Sequence, residues 1–332
     1  FNQSLILSQL MRLKDESYMR RCFDLARLSA GLNAPNPRVG AVVVYQDKII
    51  GEGYHQQYGG PHAEVQAIRN VSNKDKQFLE KSTIYVSLEP CFHTGKTPPC
   101  VDLILKHKIP RVVVSCVDPF EQVAGRSIAK LRAQGVSVTE GLLQKEGAWL
   151  CRRFFTTVQK KRPYILLKFA QSKDGFIGSH DQEITISNPL SKRLVHKWRS
   201  ESTAILVGTT TAVVDNPQLN NRYFFGASPL RLVLDKSLRI PEDAYLLNGP
   251  KTTWVFTEHP KQSNRSNLQY IPLSFDAHLL RSMLEYLQQQ KIQSLMVEGG
   301  GQLLQSFIDA DLWDEARILT SNTTLKQGVK AP

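Results

Sequence analysis

Residues 61–68 read PHAEVQAI and residues 88–100 read LEPCFHTGKTPPC. The first opens a helical pattern running from His62 to about Val71. The second follows the strand pattern STIYVSL (82–88) and leads into a helix over Pro99 to Lys106. Helix, strand and helix in this order, with further strands on either side, are the alternation of an α/β layer fold. The same two stretches set one His, one Glu and two Cys at or beside helix starts.

Upstream, apolar residues recur at helical spacing from Ser17 to Leu32, with Gly31 placed to stop the helix. The loop NAPNPRVG follows. Two strands, Val39 to Tyr45 and Ile49 to Tyr54, are joined by a polar turn around Gln46, Asp47 and Lys48. Downstream come a strand RVVVSC, a helix Ser127 to Gln134 and a short strand VSVTEG, so the first half reads as helices packed over a mixed sheet. Leu142 to Phe155 look helical, and the basic stretch TTVQKKRPY has the composition of a linker. Pro163 disfavours helix at Arg162, which sets a domain boundary near Lys160.

The second half starts with the strand YILLKFAQS and passes through DGFIGSHDQEITIS into a basic helix over Leu190 to Arg199. Strands TAILVG, LRLVLD, TTWVF and SLMVEGG follow, which makes a second α/β unit. The halves share alternation but no sequence repeat.

The totals agree with two domains. At 332 residues the chain is long for one core. Hydrophobic residues at 41% and charged residues at 22% exclude a disordered or fibrous chain. No run reaches the roughly 18 to 20 apolar residues of a membrane-spanning helix. The opening FNQSLILSQL lacks the basic start and cleavage site of a secretory signal, and Met11 is a candidate natural start. Residues 1–16 are therefore read as an extension, 17–160 as the first domain and 161–332 as the second. Five cysteines, an odd number and all of them before residue 152, fit a reducing cytoplasm rather than a disulfide framework. A net charge of +12 suits either a nucleic-acid binder or an enzyme handling several phosphates.

Catalytic zinc is usually held by three nitrogen or thiolate ligands, with a fourth position left for water. His62, Cys91 and Cys100 supply that set, and helix N-termini favour the thiolate forms. Glu64, two residues beyond His62 in the first turn of its helix, can reach the open position without being a ligand. Zinc lowers the pKa of its water from about 16 toward 7; Glu64 would take that proton and pass it to a leaving amine, giving hydrolytic deamination. The arrangement resembles the His-x-Glu and Pro-Cys-x-x-Cys signature of zinc nucleobase deaminases, except that eight residues rather than two separate Cys91 from Cys100. Taken singly, each of these residues has an ordinary structural reading; the combination favours zinc.

APNPRVGAVVV, GEGYHQQYGGPHAEVQAI, SLEPCFHTGKTPPC and VDPFEQVAGRSI together resemble the deaminase half of the bifunctional deaminase–reductase family of riboflavin biosynthesis. The eight-residue insert is that family's own form. LLKFAQSKDG, AILVGTTTAVVDNPQL, PLRLVLD and LMVEGGGQLLQSF carry the resemblance through the second half. It implies a cytidine-deaminase-like α/β/α domain with a mixed sheet, followed by a dihydrofolate-reductase-like α/β domain. It also implies hydrolysis of the 2-amino group of 2,5-diamino-6-ribosylamino-4(3H)-pyrimidinone 5′-phosphate, and then NADPH-dependent reduction of the ribosyl to a ribityl chain.

By the same resemblance Asn36, His93 and Lys96 hold the first substrate, with His55 as a further candidate. Lys168 is the reductase active-site lysine. Ala170, Thr185, Thr211, Asp215, Gly300 and Gly301 lie on NADPH, and Glu183, Arg199, Leu219, Arg222 and Glu298 lie on substrate. Arg199 and Arg222 would be phosphate clamps, because a guanidinium binds phosphate through two parallel hydrogen bonds. Asp174, like Asp215, is a carboxylate able to orient cofactor or substrate. Gly299 to Gly301, between a strand and a helix, offer bare N–H groups to phosphate, but not with Rossmann spacing. Thr185 stands where some relatives carry tryptophan, and the sequence stops at VKAP where relatives continue through a final pair of strands. A homodimer through the reductase half is expected from the family. Two other readings stay open at this stage: a tRNA deaminase with an added RNA-binding domain, and a non-catalytic protein with a structural zinc site.

Overall fold

A computed structural model describes residues 2–92, 98–178, 186 and 188–332, with side chains from residue 8 onward. The chain divides into two compact units, residues 1–160 and 161–332.

The first unit runs α1 (Asn2–Arg27), β1 (Gly40–Tyr45), β2 (Lys48–Tyr54), α2 (Ala63–Arg69), a 3-10 turn (Lys76–Lys81), β3 (Thr83–Val86), α3 (Cys100–Lys106), β4 (Arg111–Val114), α4 (Arg126–Ala133), β5 (Ser137–Thr139) and α5 (Gln144–Lys160). Its sheet has the order β2-β1-β3-β4-β5. β1 is antiparallel to both β2 and β3, whereas β3, β4 and β5 are parallel. Successive strand residues face opposite ways, so each apolar run feeds two cores. Ala41, Val43, Ile84, Val86, Val112 and Val114 pack on α2, α3 and α4 through Ala67, Ile104 and Leu131. Val42, Val44, Tyr85 and Val113 pack on α1 and α5 through Met19, Cys22, Phe23 and Leu150.

Two helices extend beyond their expected bounds. α1 begins at Asn2 instead of Ser17 and stops at Arg27 instead of Leu32. Leu10, Met11 and Leu13 are exposed, as is the whole stretch 8–14, which leaves no apolar period there to detect. α5 continues through Thr156 to Lys160, so this part of the basic stretch is helix and not linker, with Arg153 and Thr156 buried on it.

The second unit runs β6 (Tyr164–Gln171), β7 (Phe176–Gly178), α6 (Pro189–Glu201), β8 (Ala204–Gly208), α7 (Thr209–Val214), β9 (Leu230–Leu234), α8 (Tyr245–Asn248), β10 (Thr253–Thr257), β11 (Leu268–Pro272), α9 (Leu279–Gln289), β12 (Ser294–Val297), α10 (Gly301–Asp309), β13 (Glu315–Thr320) and β14 (Val329–Lys330). Seven strands form one all-parallel sheet in the order β11-β10-β9-β8-β12-β6-β13, and β7 pairs separately with β14. One face buries Leu167, Leu206, Leu232, Phe256 and Val297 under α9 and α10. Ile205, Val207, Val233 and Val255 face the other way. α6 starts at an N-cap, Asn188, whose side chain accepts the Ser191 N–H, with Pro189 in the first turn.

The outcome for function is local. Parallel strands β8, β12 and β6 are neighbours, so Gly208, Glu298 and Lys168 come together near their C-terminal ends, where open α/β sheets bind ligands.

Candidate functional site

In the first unit α2 lies directly on β2. A Cβ at Gly53 would fall 2.4 Å from Gln66 Cβ and 2.5 Å from Ala67 N, so only a bare backbone lets the helix approach this closely. That approach fixes His62, the N-cap of α2, and Glu64 in its first turn. Cys91 follows the Leu88–Pro90 segment after β3, and Cys100 is the first residue of α3.

His62 Nδ1 lies 3.4 Å from Cys91 Sγ and 3.4 Å from Cys100 Sγ, and the Cys100 N–H donates to Cys91 Sγ at 3.2 Å. The three ligand atoms lie within 4.8 Å of one another, and this is the one group of its kind among the described residues. Tetrahedral zinc bound at about 2.0 to 2.3 Å keeps its ligand atoms roughly 3.5 Å apart, so the His and Cys donors fit zinc in both chemistry and spacing. Without metal, the Cys91 thiol is pulled down to about 4 by the Cys100 thiol and by His62, against burial, and Cys100 is pushed up in turn.

Glu64 is buried beside this triad. Burial, followed by the Cys91 thiolate, pushes its carboxyl up to about 7, partly offset by His62. Such a carboxyl can exchange a proton near neutral pH.

His62, Glu64 and Cys91 open on a cavity of about 430 Å³, lined also by Asn36, His55, Tyr58, Glu89, Asp118 and Phe120. His55 is buried, which lowers its pKa and keeps it neutral. Its Nδ1 is 3.0 Å from the Pro61 carbonyl, which can only accept, so Nδ1 carries the proton. Nε2 then accepts from Asn36 Nδ2 at 3.0 Å, which fixes the amide's orientation. His93 and Lys96 lie outside the described residues. Sequence reasoning missed two further groups. Asp118 lines the cavity, and burial raises it to about 6 against the Phe120 N–H. Glu89 is buried directly before Pro90 and Cys91. Both stand in strings already conspicuous in the sequence, LEPC and VDPF.

In the second unit Glu298 follows β12. Arg199 of α6 holds it through Nε at 2.8 Å and Nη2 at 2.6 Å, and Lys168 Nζ of β6 is 3.7 Å away. Burial would raise the Glu298 carboxyl, but Arg199 and Lys168 hold it down at about 2. The third arm of Arg199 donates to the Asn220 carbonyl at 3.1 Å, so its guanidinium organises the site instead of standing free as a phosphate clamp. Arg222 Nη1 donates to Gln218 Oε1 at 2.8 Å and Asn220 Oδ1 at 2.7 Å. Its main-chain N–H donates to His196 Nδ1 at 3.0 Å, and burial, Arg199 and Arg222 lower His196 to about 4. Lys168, Lys192, Arg199 and Arg222 line a cavity of about 230 Å³, a setting for an anion.

The remaining expected residues separate. Gly300 is the N-cap of α10 with φ +78°, a conformation that favours glycine. Thr211 of α7 packs against this turn: a Cβ on Gly299 would come within 2.7 Å of its Cγ2. The turn and Thr211 are therefore packed directly against each other, which a side chain at position 299 would prevent. Ala170 lies on β6, beside Leu319 of β13. Asp215 is exposed at the C-cap of α7. Leu219 has its side chain in the core with Ile205 and Val233. Asp174 accepts the Leu325 and Lys326 N–H groups at 3.1 and 2.7 Å, so it fastens a turn and does not face a ligand through these bonds. Glu183 and Thr185 lie outside the described residues.

Residues 12–116 match the family model of the cytidine and deoxycytidylate deaminase zinc-binding region, and residues 163–325 match that of the RibD C-terminal domain. The riboflavin biosynthesis protein RibD of Aquifex aeolicus is 37% identical over 325 residues, covering 96% of this chain and 90% of that relative. The chain belongs to the RibD family. The RibD protein of Escherichia coli K12 is 35% identical over 320 residues, covering 91% and 86%. A Thermotoga maritima diaminohydroxyphosphoribosylaminopyrimidine deaminase/5-amino-6-(5-phosphoribosylamino)uracil reductase superposes with a TM-score of 0.89 at 35% identity, covering 96% of this chain and 90% of the other. Acinetobacter baumannii RibD gives 0.87 at 33% identity.

RibD membership makes the chain a deaminase–reductase of riboflavin biosynthesis, with zinc and NADPH as its cofactors. The tRNA deaminase reading is not favoured.

Proposed function

We propose that the first unit removes the 2-amino group of 2,5-diamino-6-ribosylamino-4(3H)-pyrimidinone 5′-phosphate, and that the second reduces the ribosyl group of the product to ribityl. One observation carries the first step: buried Glu64 opens on the same cavity as His62 and Cys91. Zinc held by His62, Cys91 and Cys100 would supply a Lewis acid that makes water acidic enough to lose a proton near pH 7. Glu64 takes that proton and returns it to the departing amine, which leaves as ammonia. Asn36, oriented by His55, meets the pyrimidine edge, and His93 and Lys96 complete its binding.

For the second step NADPH supplies the hydride. Lys168, held by Glu298, donates to the sugar oxygen that becomes a hydroxyl. Arg222 meets the phosphate, Arg199 and Glu298 shape the site, and Glu183 and Leu219 complete the substrate contacts. Ala170, Thr185, Thr211, Asp215, Gly300 and Gly301 contact the cofactor. We also read the protein as a cytoplasmic homodimer joined through its reductase half, acting on a small ribotide and not on nucleic acid. Five free cysteines support the reducing location, and no helix among the described residues is long and apolar enough to cross a membrane. Light scattering tests the dimer.

The deciding experiment adds the diaminopyrimidine ribotide and NADPH to zinc-loaded protein and follows ammonia and NADPH oxidation together. Ammonia release followed by oxidation, both lost in Glu64→Gln, supports the reading. Neither signal in the wild type refutes it.

A further inference from the structure

We propose that Glu89 is a positioning residue for deamination: its carboxylate fixes the 117–128 segment whose side chains line the cavity. Glu89 is 3% exposed. Its Oε2 accepts the main-chain N–H of Asp118 at 3.2 Å and of Gly125 at 2.9 Å; its Oε1 accepts those of Ser127 at 3.1 Å and Ile128 at 3.4 Å. Its own N–H donates to the Cys116 carbonyl at 2.8 Å. One side chain thus ties the segment carrying Cys91 to both ends of the next loop.

The local sequence explains why the loop needs an outside partner. α4 starts after Gly125, which has no side chain to cap it and sits at φ +79°, and its first turn carries no acidic residue. The first N–H groups of a helix have no partner within the helix. Glu89 reaches across 38 and 39 positions to satisfy two of them, and brings negative charge to the positive end of α4. The same carboxylate holds Asp118 N–H, and Asp118 Oδ1 in turn accepts the Phe120 N–H at 2.8 Å. Asp118, Phe120 and Val123 line the cavity beside Glu89 itself, so the shape offered to a pyrimidine depends on the hydrogen bonds by which Glu89 holds this segment. Buried donors that lose their acceptor are costly, so the loop would move to find new partners.

This inference rests on the deaminase reading above, and wild-type protein is assayed beside each variant. In Glu89→Gln the amide has one acceptor oxygen and presents an NH2 donor to two of the four N–H groups. The full chain, zinc-loaded, is expected to show a deaminase KM raised about tenfold with kcat within about threefold of wild type. Zinc content and the reductase activity of the same chain on the deaminated ribotide are expected to stay at wild-type values, which a general loss of folding would not permit. Glu89→Asp keeps the carboxylate one methylene shorter and is expected to fall between wild type and Glu89→Gln. A wild-type KM in Glu89→Gln overturns the proposal. So does a loss confined to kcat together with lost zinc, because Glu89 would then be serving Cys91 and not the cavity wall. Should Glu89→Gln be insoluble, a wild-type KM in Glu89→Asp overturns it equally. Wild-type protein that releases no ammonia refutes the deaminase reading itself, and this proposal with it.

Discussion

Arg199 and Glu298 form a part-buried fork, two guanidinium nitrogens lying 2.6 and 2.8 Å from the two carboxylate oxygens, with Lys168 Nζ 3.7 Å from the same carboxylate. Two cations on one carboxylate leave a positive excess in the cavity they line, and that excess is what a phosphorylated substrate requires. The fork also joins α6 to the end of β12, so binding and folding of the second unit share one interaction.

Glu298 is held at about 2 in the folded protein, below its ordinary 4.5. A depressed carboxyl contributes stability that is present above the unfolded value and lost as pH falls through the folded one. Acid unfolding of the second unit should therefore steepen between about pH 4.5 and 2, with on the order of 3 kcal/mol at stake. In Glu298→Gln that part of the pH dependence should disappear, together with reductase activity. Unfolding followed by Trp fluorescence against pH checks this; an unchanged acid profile in the variant contradicts it.

His55 holds the Asn36 amide and touches it only through a neutral ring nitrogen. His55→Ala is expected to raise deaminase KM roughly tenfold, leaving bound zinc and the reductase reaction unchanged. Steady-state kinetics of the two half-reactions on one preparation separates these outcomes.

How much of this was legible in the sequence depended on whether a function demands a side-chain type. Zinc needs His and thiolate, so His62, Cys91 and Cys100 stood out before any fold was known, and the bare glycine turn before α10 did so for the same reason. Glu89 did not, because its partners are main-chain N–H groups, which every residue carries. The strands of both sheets read correctly where they are buried on both faces, as continuous apolar runs. The pattern failed over residues 8–14 of α1, which are exposed, and at β11, β13 and β14, whose short or alternating stretches resemble loop. Arg199 was legible as a charge but not as the partner of Glu298, which lies 99 positions away.

Zinc removal should divide the two activities. The three ligand residues all belong to the first unit, and the cluster lies apart in sequence from every residue of the anion cavity. A chelator should abolish ammonia release and leave NADPH oxidation with pre-deaminated ribotide intact, and added zinc should restore the first reaction. Cys100→Ser should do the same permanently, with metal content measured by atomic absorption. Loss of both reactions on chelation would contradict it.

Gly53 offers a test of how the catalytic helix is seated. The Cβ of Gly53→Ala would lie 2.4 Å from Gln66 Cβ and 2.5 Å from Ala67 N, well inside contact distance and against main chain that cannot rotate away. α2 must then lift from β2, carrying His62 and Glu64 with it, because both sit at its start. Overpacking of this kind costs about 1–3 kcal/mol, so the variant should still fold but melt earlier. Deaminase kcat should fall further than its stability would require, since Glu64, the proposed proton shuttle, moves relative to Cys91 and Cys100, whereas the reductase should keep its rate below the melting transition. Calorimetry paired with the two assays decides it: a lower melting temperature with wild-type deaminase kcat would mean that β2, and not α2, gives way.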